Sequence, residues 1–350
     1  MKYVAAMSGG VDSAVAALLI KNEGFDVEGV MLRLYNKPHS EFASDENTAA
    51  LIAERIGIPF RVLDVRDEFE KEVIKPFVCD YLDGKTPNPC VICNPRVKFG
   101  ALTRFMRASG CDVLATGHYA RIRYDFGSGR YLLLRSADRK KDQSYVLYSL
   151  TQDILSSVRF PLGEYTKPEI REIAFQNGFE NADKKDSQDI CFISGEGYAS
   201  FIERYAGFTE KGGSFIDENG NKIGTHPGAV NFTVGQRKGF GTGFGKRVYV
   251  TAKDMRANTV TLGSEEKLYS RTVLANKLNF IATKVTDCVI KSTAKIRYGQ
   301  QETPVTAYIT GSDEMRVDFD EPVRAAVPGQ SIVLYDGDVV IGGGIITGCR

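Results

Sequence analysis

The 350-residue sequence has no apolar run near the ~18 residues that cross a membrane as a helix. Its first residues hold one lysine and then an apolar segment, unlike a secretory signal peptide, so we expect a cytoplasmic protein without membrane contact. The net charge is only +1, so any contact with nucleic acid must come from local basic patches. Seven cysteines, an odd number, do not suit a disulfide scaffold and favour reactive or metal-binding thiols in a reducing compartment.

The first strand-like segment ends in a glycine turn, Ser8–Ser13, which leads directly into a helix-like run, Ala14–Lys21. Adjacent glycines reach backbone conformations closed to other residues, and the N–H groups at a helix start favour bound anions. Asp12 would either orient a phosphate-bound Mg²⁺ or cap the helix. The common phosphate loop needs a lysine directly after its glycines, and here no lysine follows the turn before Lys21. The turn is therefore a candidate anion site of a different kind.

Strand-like and helix-like segments alternate through the first third of the chain. The predicted strands are Val4–Met7, Val27–Leu32, Phe60–Val65 and Val113–Thr116, and the predicted helices are Ala14–Asn22, Glu46–Ile56, Phe69–Leu82 and Arg96–Ala108. This α/β alternation predicts a parallel sheet that binds ligands at the carboxyl ends of its strands. A hairpin, with strands His118–Tyr124 and Arg130–Arg135, and a helix, Lys167–Gln176, should follow.

The second half of the chain has a different composition. From about residue 207 it is rich in glycine, and the loop 232–243 carries Arg237 and Lys238, which suit a phosphodiester chain or a solvated hairpin. Six short alternating segments then predict a small all-β barrel or sandwich: Lys277–Ala282, Thr293–Tyr298, Pro304–Ile309, Met315–Phe319, Ser331–Tyr335 and Val339–Thr347. We expect domains at 1–206, 207–270 and 271–350.

Three cysteines lie in polar surroundings. Cys90 and Cys93 form a C-x-x-C pair in the proline-rich loop 86–94, and Asn94-Pro95 resembles a helix start. Cys93 would then precede a helix N-terminus, where the dipole lowers a thiol pKa. A redox pair, half of a metal site and buried apolar thiols all fit this pattern. Cys191 follows a stretch of lysines and carboxylates.

The glycine turn resembles the PP-loop of N-type ATP pyrophosphatases, which cleave ATP between its α and β phosphates. With six further motifs in order, nearly the whole chain closely resembles the tRNA-specific 2-thiouridylase family. The motifs are SGGVDS at 8–13, TPNPCVICN at 86–94, ATGHYAR at 115–121, KDQSYVLY at 141–148, DSQDICFI at 186–193, GQRKGFG at 235–241 and IRYGQQ at 296–301. Seven motifs in register are far more specific than any one of them.

The resemblance implies an N-terminal PP-loop ATPase domain of the HUP type, a small central α+β domain and a C-terminal β-barrel. It also implies a sulfurtransferase that converts the wobble uridine of certain tRNAs to 2-thiouridine. ATP and Mg²⁺ would adenylate the C2 oxygen, which makes it a good leaving group. Sulfur would arrive as a cysteine persulfide from a cysteine desulfurase or a persulfide relay protein, and the target base would be flipped into the pocket.

The same resemblance assigns roles to residues. It implies catalytic roles for Cys191, as the persulfide carrier, and Cys93, as nucleophile or as the partner that releases sulfur through a transient disulfide. The implied ATP-binding residues are Ala6, Met7, Ser8, Gly9, Gly10, Val11, Asp12, Ser13, Met31 and Gly117, although core packing is the alternative for Met31. The implied tRNA-binding residues are Asn88, Pro89, Cys90, His118, Lys141, Asp142, Gln143, Arg297, Tyr298 and Gln330.

One position departs from the family. Many members have Asp where this chain has Cys90, so a role for that residue as general base does not carry over. Cys90, Cys93 and Cys191 instead make three thiols in one expected pocket, which suit a [4Fe–4S] cluster with one open iron. We hold this cluster as an alternative to the persulfide route, with zinc as a third option. Other PP-loop ligases or thiolases, and a non-enzymatic RNA-binding protein, are the competing functions.

Overall fold

The computed structural model describes residues 1–36, 39–183, 190–193, 195, 197–207, 209, 211–241, 243–245, 247–284 and 289–350, with the main chain only at 39–42. Residues 184–189, the polar run before Cys191, therefore lie outside the described residues, as does Cys288.

The strands fall into three sheets. In chain order they are β1 (Lys2–Met7), β2 (Asp26–Arg33), β3 (Phe60–Asp64), β4 (Val113–Ala115), β5 (Ala120–Asp125), β6 (Arg130–Arg135), β7 (Val158–Arg159), β8 (Gly213–Ile216), β9 (Lys222–His226), β10 (Tyr249–Asp254), β11 (Thr259–Gly263), β12 (Tyr269–Phe280), β13 (Val289–Lys295), β14 (Thr303–Ile309), β15 (Glu314–Arg324), β16 (Ser331–Asp336) and β17 (Val339–Cys349).

The α-helices of the described residues lie within residues 1–206. They are α1 (Val11–Asn22), α2 (His39–Ile56), α3 (Arg66–Phe69), α4 (Lys75–Leu82), α5 (Pro89–Cys93), α6 (Phe99–Ala108), α7 (Ser144–Leu147), α8 (Gln152–Ser156), α9 (Lys167–Gln176) and α10 (Gly197–Ala206). Two π-helical turns, Glu70–Ile74 and Asn94–Lys98, join α3 to α4 and α5 to α6. Within the described residues, no helix is both long enough and apolar enough to span a membrane.

The predicted parallel sheet is confirmed. Its order is β3-β2-β1-β4-β7, and every neighbouring pair is parallel. Alternate residues of β1 enter different cores: Ala5 packs with α1, α2 and α9, while Val4 packs with α6. Helices on both faces place the carboxyl ends of β1, β2 and β4 at one open edge. The two-residue β7 was not predicted, because so short a segment carries no periodicity.

The predicted C-terminal barrel is also confirmed. Strands β12-β15-β14-β13-β16-β17 run in this order, and β12 pairs with β17 to close the ring. The predicted hairpin forms β5 and β6, but its partner was not foreseen: Leu134 pairs with Val339 of β17. The first part of the chain thus adds two strands to the barrel sheet. Between these parts, β10-β11-β8-β9 form a small mixed sheet around Phe215 and Phe232.

Candidate active site

The glycine turn at the end of β1 is a compact, self-bonded loop. The Ser13 hydroxyl accepts the N–H of Ser8 at 3.1 Å and donates to the Gly10 carbonyl at 3.0 Å. Gly9 has φ +72°, and a Cβ there would lie 2.6 Å from the carbonyl oxygen of Asp45. Gly10 has no side chain to cap α1, so the first-turn N–H groups are suited to an anion.

A lysine does pair with this loop, although it lies far from the loop in sequence. The Lys167 ammonium lies 2.7 and 2.8 Å from the two carboxylate oxygens of Asp12, and the Tyr119 hydroxyl donates to the same carboxylate at 2.7 Å. Lys167 is the first residue of α9, which Thr166 and Glu169 hold with a capping box. The sequence analysis did not identify Lys167, because it predicted only a helix over Lys167–Gln176 and nothing in the sequence linked that helix to the glycine turn.

The carboxyl end of β4 closes over the first turn of α1. A Cβ on Gly117 would come within 2.8 Å of main-chain atoms of Asp12 and Ser13, so only glycine permits this approach. Next to it, the His118 ring accepts or donates a 2.8 Å hydrogen bond with Thr116 and stacks on Phe99. Enclosure, and then the charge of Lys98, lower the pKa of His118 to about 3, so the ring is neutral near pH 7.

These elements enclose a cavity of about 260 Å³. The predicted site residues among its lining are Ala6, Met7, Ser8, Asp12, Ser13, Gly117, His118 and Gln143, and Lys98 lines it as well. Val11 and Met31 are instead buried in the core beside α1, so their side chains do not face the cavity. A second cavity, of about 270 Å³, lies between α2 and residues 178–180 and contains none of the predicted site residues.

The predicted start of the cysteine-bearing helix was wrong. The helical run begins at Pro89, and the side chain of Asn88 caps it by accepting the N–H of Cys90 at 3.2 Å. Pro95 lies inside the run, in a π-helical turn. Because Pro95 has no N–H to donate, the Val91 carbonyl four residues earlier accepts a 2.8 Å hydrogen bond from Ser149. This region holds two Asn-Pro pairs, Asn88-Pro89 and Asn94-Pro95, and the helix begins at the first of them.

The expected lowering of the Cys93 pKa was therefore wrong as well. Cys93 lies inside the helical run and is 4% exposed. Burial raises the pKa of its thiol to about 12, and Lys98 opposes this rise. Cys93 is accordingly a protonated thiol near pH 7, because removal from water disfavours the thiolate more than the local dipoles favour it.

The structure brings the segment that holds Cys191 to the part of the core that contains Cys93. Phe192 packs with Phe69 and Phe77, and Cys93 belongs to the same hydrophobic cluster. The Tyr35 hydroxyl donates to the main-chain carbonyl of Cys191. The charges of Cys191 and Cys90 both act on Cys93. Of the two thiols, Cys93 is buried and Cys191 is exposed.

The structure does not group the three thiols as ligands of one metal ion. Among the residues that the structure describes, no three His, Cys, Asp or Glu side chains are grouped so as to hold a metal ion. The charges of Cys90 and Cys191 nevertheless act on Cys93.

The predicted tRNA-contacting residues differ in accessibility. Asp142 is 8% exposed and accepts hydrogen bonds from the N–H groups of Ser136 and Ser144, so it holds its own turn. Gln143 accepts the N–H of Tyr119 at 2.9 Å at the cavity wall. Lys141 begins the same segment and is partly exposed.

The barrel supplies the other predicted contacts. Tyr298 is 44% exposed, and charges of Asp142 and Cys90 act on it. Gln330 donates to the carbonyl of Thr86 at 2.7 Å, so the barrel supports the loop that leads to α5. Arg297 donates to the Ala325 carbonyl at 3.0 Å.

An open basin of about 900 Å³ adjoins Tyr298. Its cationic lining residues are Arg135, Arg139, Lys140 and Lys295, against the acids Asp142 and Glu302. Arg135 and Glu302 form a bidentate ion pair. The basin thus holds a local excess of positive charge. In a chain with a net charge of only +1, a nucleic-acid site needs such a local patch.

Three family models match the chain in succession. They describe a tRNA methyl transferase HUP domain at residues 1–195, a tRNA methyl transferase PRC-barrel domain at 199–264 and an aminomethyltransferase beta-barrel domain at 270–346. The chain is 43% identical to the tRNA-specific 2-thiouridylase MnmA of Clostridioides difficile, over 99% of this chain and 98% of the relative. It is 44% identical to that of Moorella thermoacetica, over 97% and 98%.

The chain also resembles a solved structure, at a much lower sequence identity. The U34-tRNA thiolase NcsA from Methanococcus maripaludis, determined with its [4Fe-4S] cluster, is 18% identical with a TM-score of 0.37, over 60% of this chain and 65% of that one. At that level the likeness carries no argument about the metal or the site.

Proposed function

The chain belongs to the tRNA-specific 2-thiouridylase family, and from this premise we propose how its residues carry out thiolation of a tRNA uridine. The observation that supports the proposal is the electrostatic interaction of Cys93 and Cys191 with each other and with Lys98, which lines the cavity at the glycine turn. An anion-binding loop and two sulfurs in one place are what adenylation followed by sulfur transfer requires.

In the first step the loop Ser8–Ser13 binds the phosphates of ATP, and Asp12 would hold the Mg²⁺ that accompanies the nucleotide. The uridine O2 attacks the α-phosphorus, pyrophosphate leaves, and the N3 proton is lost. Gly117 and the main chain near Met31 border the nucleoside. Neutral His118 and Gln143 line the cavity and can hydrogen-bond the base. The chemistry of Mg²⁺ is to neutralise charge that develops on the phosphates.

In the second step the terminal sulfur of a Cys191 persulfide attacks C2, and AMP leaves. The uridine is then joined to Cys191 through a disulfide bond. The Cys93 thiolate attacks the Cys191 sulfur, which forms a Cys93–Cys191 disulfide and expels the pyrimidine 2-thiolate. That product takes up a proton at N3 to give 2-thiouridine. A dithiol reductant must supply two electrons to restore the thiols.

The persulfide comes from a cysteine desulfurase or a relay protein, and the exposed position of Cys191 suits its delivery. We place the reaction in the cytoplasm, where tRNA, ATP and reduced thiols occur together.

An iron–sulfur route would dispense with the disulfide. Because the three thiols are not grouped as ligands, we propose the persulfide route instead. Anaerobic purification tests this choice: we expect a colourless, iron-free protein that is fully active with a persulfide donor. Activity that rises with bound iron, together with a visible cluster absorbance, would establish the alternative.

For tRNA we propose that Asn88, Pro89 and Cys90 lie near the flipped base, while Lys141, Arg297, Tyr298 and Gln330 contact or support contacts with the tRNA. The basin beside Tyr298 would hold the phosphate backbone through its cations.

Two cysteine variants test the mechanism with persulfide-loaded enzyme and tRNA. We expect Cys191→Ser to release pyrophosphate without any thiolation. Cys93→Ser should instead accumulate tRNA joined to Cys191 by a bond that a thiol reductant cleaves, as mass spectrometry would show. Cys79→Ser, an exposed thiol elsewhere, is the control and should behave as wild type. Normal 2-thiouridine formation by Cys191→Ser would refute the proposal.

A further inference from the structure

Lys98 is a cation at the active site to which the family resemblance assigns no role. It ends the π-helical turn Asn94–Lys98 and lines the cavity beside the glycine turn. Among the cavity-lining residues that the structure describes, it is the one lysine or arginine. The charges of Cys93, Cys90 and Cys191 all act on its ammonium, as does that of Tyr35.

The π-helical turn gives Lys98 two ways to act on one sulfur. Five residues separate it from Cys93, the spacing of a π-helical hydrogen bond. Its main-chain N–H favours a charge on the Cys93 sulfur, and so does its ammonium. Burial by itself lowers the pKa of Lys98, yet the neighbouring thiols raise it overall, so the ammonium keeps its charge near neutral pH.

Cys93 needs such a partner because, among the described groups that act most strongly on its pKa, only Lys98 lowers it. The thiol is buried, and Cys90 and Cys191 raise its pKa further. His118 is neutral and faces the same lysine. The sulfur-release step nevertheless needs an anionic Cys93, since the thiolate is the nucleophile in disulfide exchange.

We propose that Lys98 is the positioning residue that lowers the energetic cost of ionising Cys93 when the thiolated uridine is released. Its ammonium and N–H stabilise the thiolate while the Cys93 S–H bond breaks and the proton leaves to solvent. The thiolate then attacks the Cys191 sulfur, the bond to the transferred sulfur breaks, and the pyrimidine 2-thiolate departs. The proposal rests on the function proposed above, and it goes further by assigning the activation of one thiol to one lysine.

The test is a single-turnover reaction of persulfide-loaded Lys98→Met with ATP and substrate tRNA. We expect tRNA disulfide-linked to Cys191 to accumulate, as in Cys93→Ser, with 2-thiouridine release slowed roughly 100-fold or more. Lys98→Arg, which keeps the cation, should restore much of the release. Lys71→Met is the matched control, because Lys71 lies in the other π-helical turn with its side chain 78% exposed.

The outcomes separate the two proposals. If Cys93→Ser accumulates the adduct but Lys98→Met releases 2-thiouridine at the wild-type rate, Lys98 does not activate Cys93. If Lys98→Met keeps its thermal unfolding midpoint but releases no pyrophosphate, the lysine serves ATP instead, and the inference is also wrong. If neither variant forms the adduct while wild type makes 2-thiouridine, the proposed sulfur-transfer route itself fails.

Discussion

The Lys167 ammonium lies within 2.8 Å of both carboxylate oxygens of Asp12, although 155 residues separate the two in sequence. The pair fixes the acid of the glycine turn against the start of α9, and Tyr119 completes its hydrogen bonding. The glycine turn is thus paired with Lys167, a lysine that lies outside its own sequence motif.

We expect Lys167→Met to lower the free energy of unfolding by about 1–3 kcal/mol. Removing one partner of a buried pair costs more, but the Asp12 side chain is 31% exposed and water compensates in part. Urea denaturation of Lys167→Met, Asp12→Asn and the double variant would give the coupling energy. Strict additivity of the two single changes would mean that the ion pair contributes nothing.

The low pKa of His118 should appear as a pH dependence of stability. Its folded pKa, about 3, lies below the usual 6.5, so between these values the unfolded chain binds the extra proton and acid destabilises the fold. From pH 7.5 to pH 5, wild type should lose up to about 2 kcal/mol more than His118→Gln.

Urea midpoints at the two pH values measure this difference. The difference between pH values is compared within each protein, which cancels the lost hydrogen bond to Thr116. Parallel losses in both proteins would show that His118 titrates normally.

Gly329 holds the loop that leads to the cysteine helix. It has φ +93°, and a Cβ there would lie 3.1 Å from atoms of Lys85, Thr86 and Pro87. We expect Gly329→Ala to cost about 1–3 kcal/mol and to slow thiolation, because the loop must shift. Gly110→Ala is the matched control, since Gly110 has φ +64° with open space around it. If the two variants lose the same thermal stability, the cost at Gly329 comes from its positive φ alone and not from a clash with the loop.

Tyr298 is 44% exposed and lines the basic basin. Partial burial of the side chain, followed by the charges of Asp142 and Cys90, raises the pKa of Tyr298 to about 12, so its hydroxyl stays neutral. Tyr298→Ala should weaken tRNA binding by about 1–3 kcal/mol if a base stacks there, whereas Tyr298→Phe should bind normally.

Filter binding at fixed salt measures the tRNA affinity. Tyr269→Ala controls for loss of an exposed ring, since Tyr269 is 47% exposed in β12. An unchanged affinity in Tyr298→Ala would remove this residue from the tRNA surface.

Sequence patterns predicted the local elements well. The apolar run before Ser8 predicted a strand of the parallel sheet, and the alternating pattern after Lys277 predicted strands of the barrel. Each pattern is contained in a few neighbouring residues, so the sequence alone reveals it. They failed where two signals competed, as at the two Asn-Pro pairs around Cys90 and Cys93, where capping by Asn88 places the helix start.

The sequence by itself determined the kinds of element, and it predicted an anion-binding turn and the candidate reactive thiols, since each depends on neighbouring residues. Only the tertiary structure decided that Lys167 reaches Asp12, that β6 joins the barrel and that the charges of Cys191 and Cys93 act on Lys98. It also decided the charge of Cys93, because the protonation state of a thiol depends on how completely the fold removes it from water.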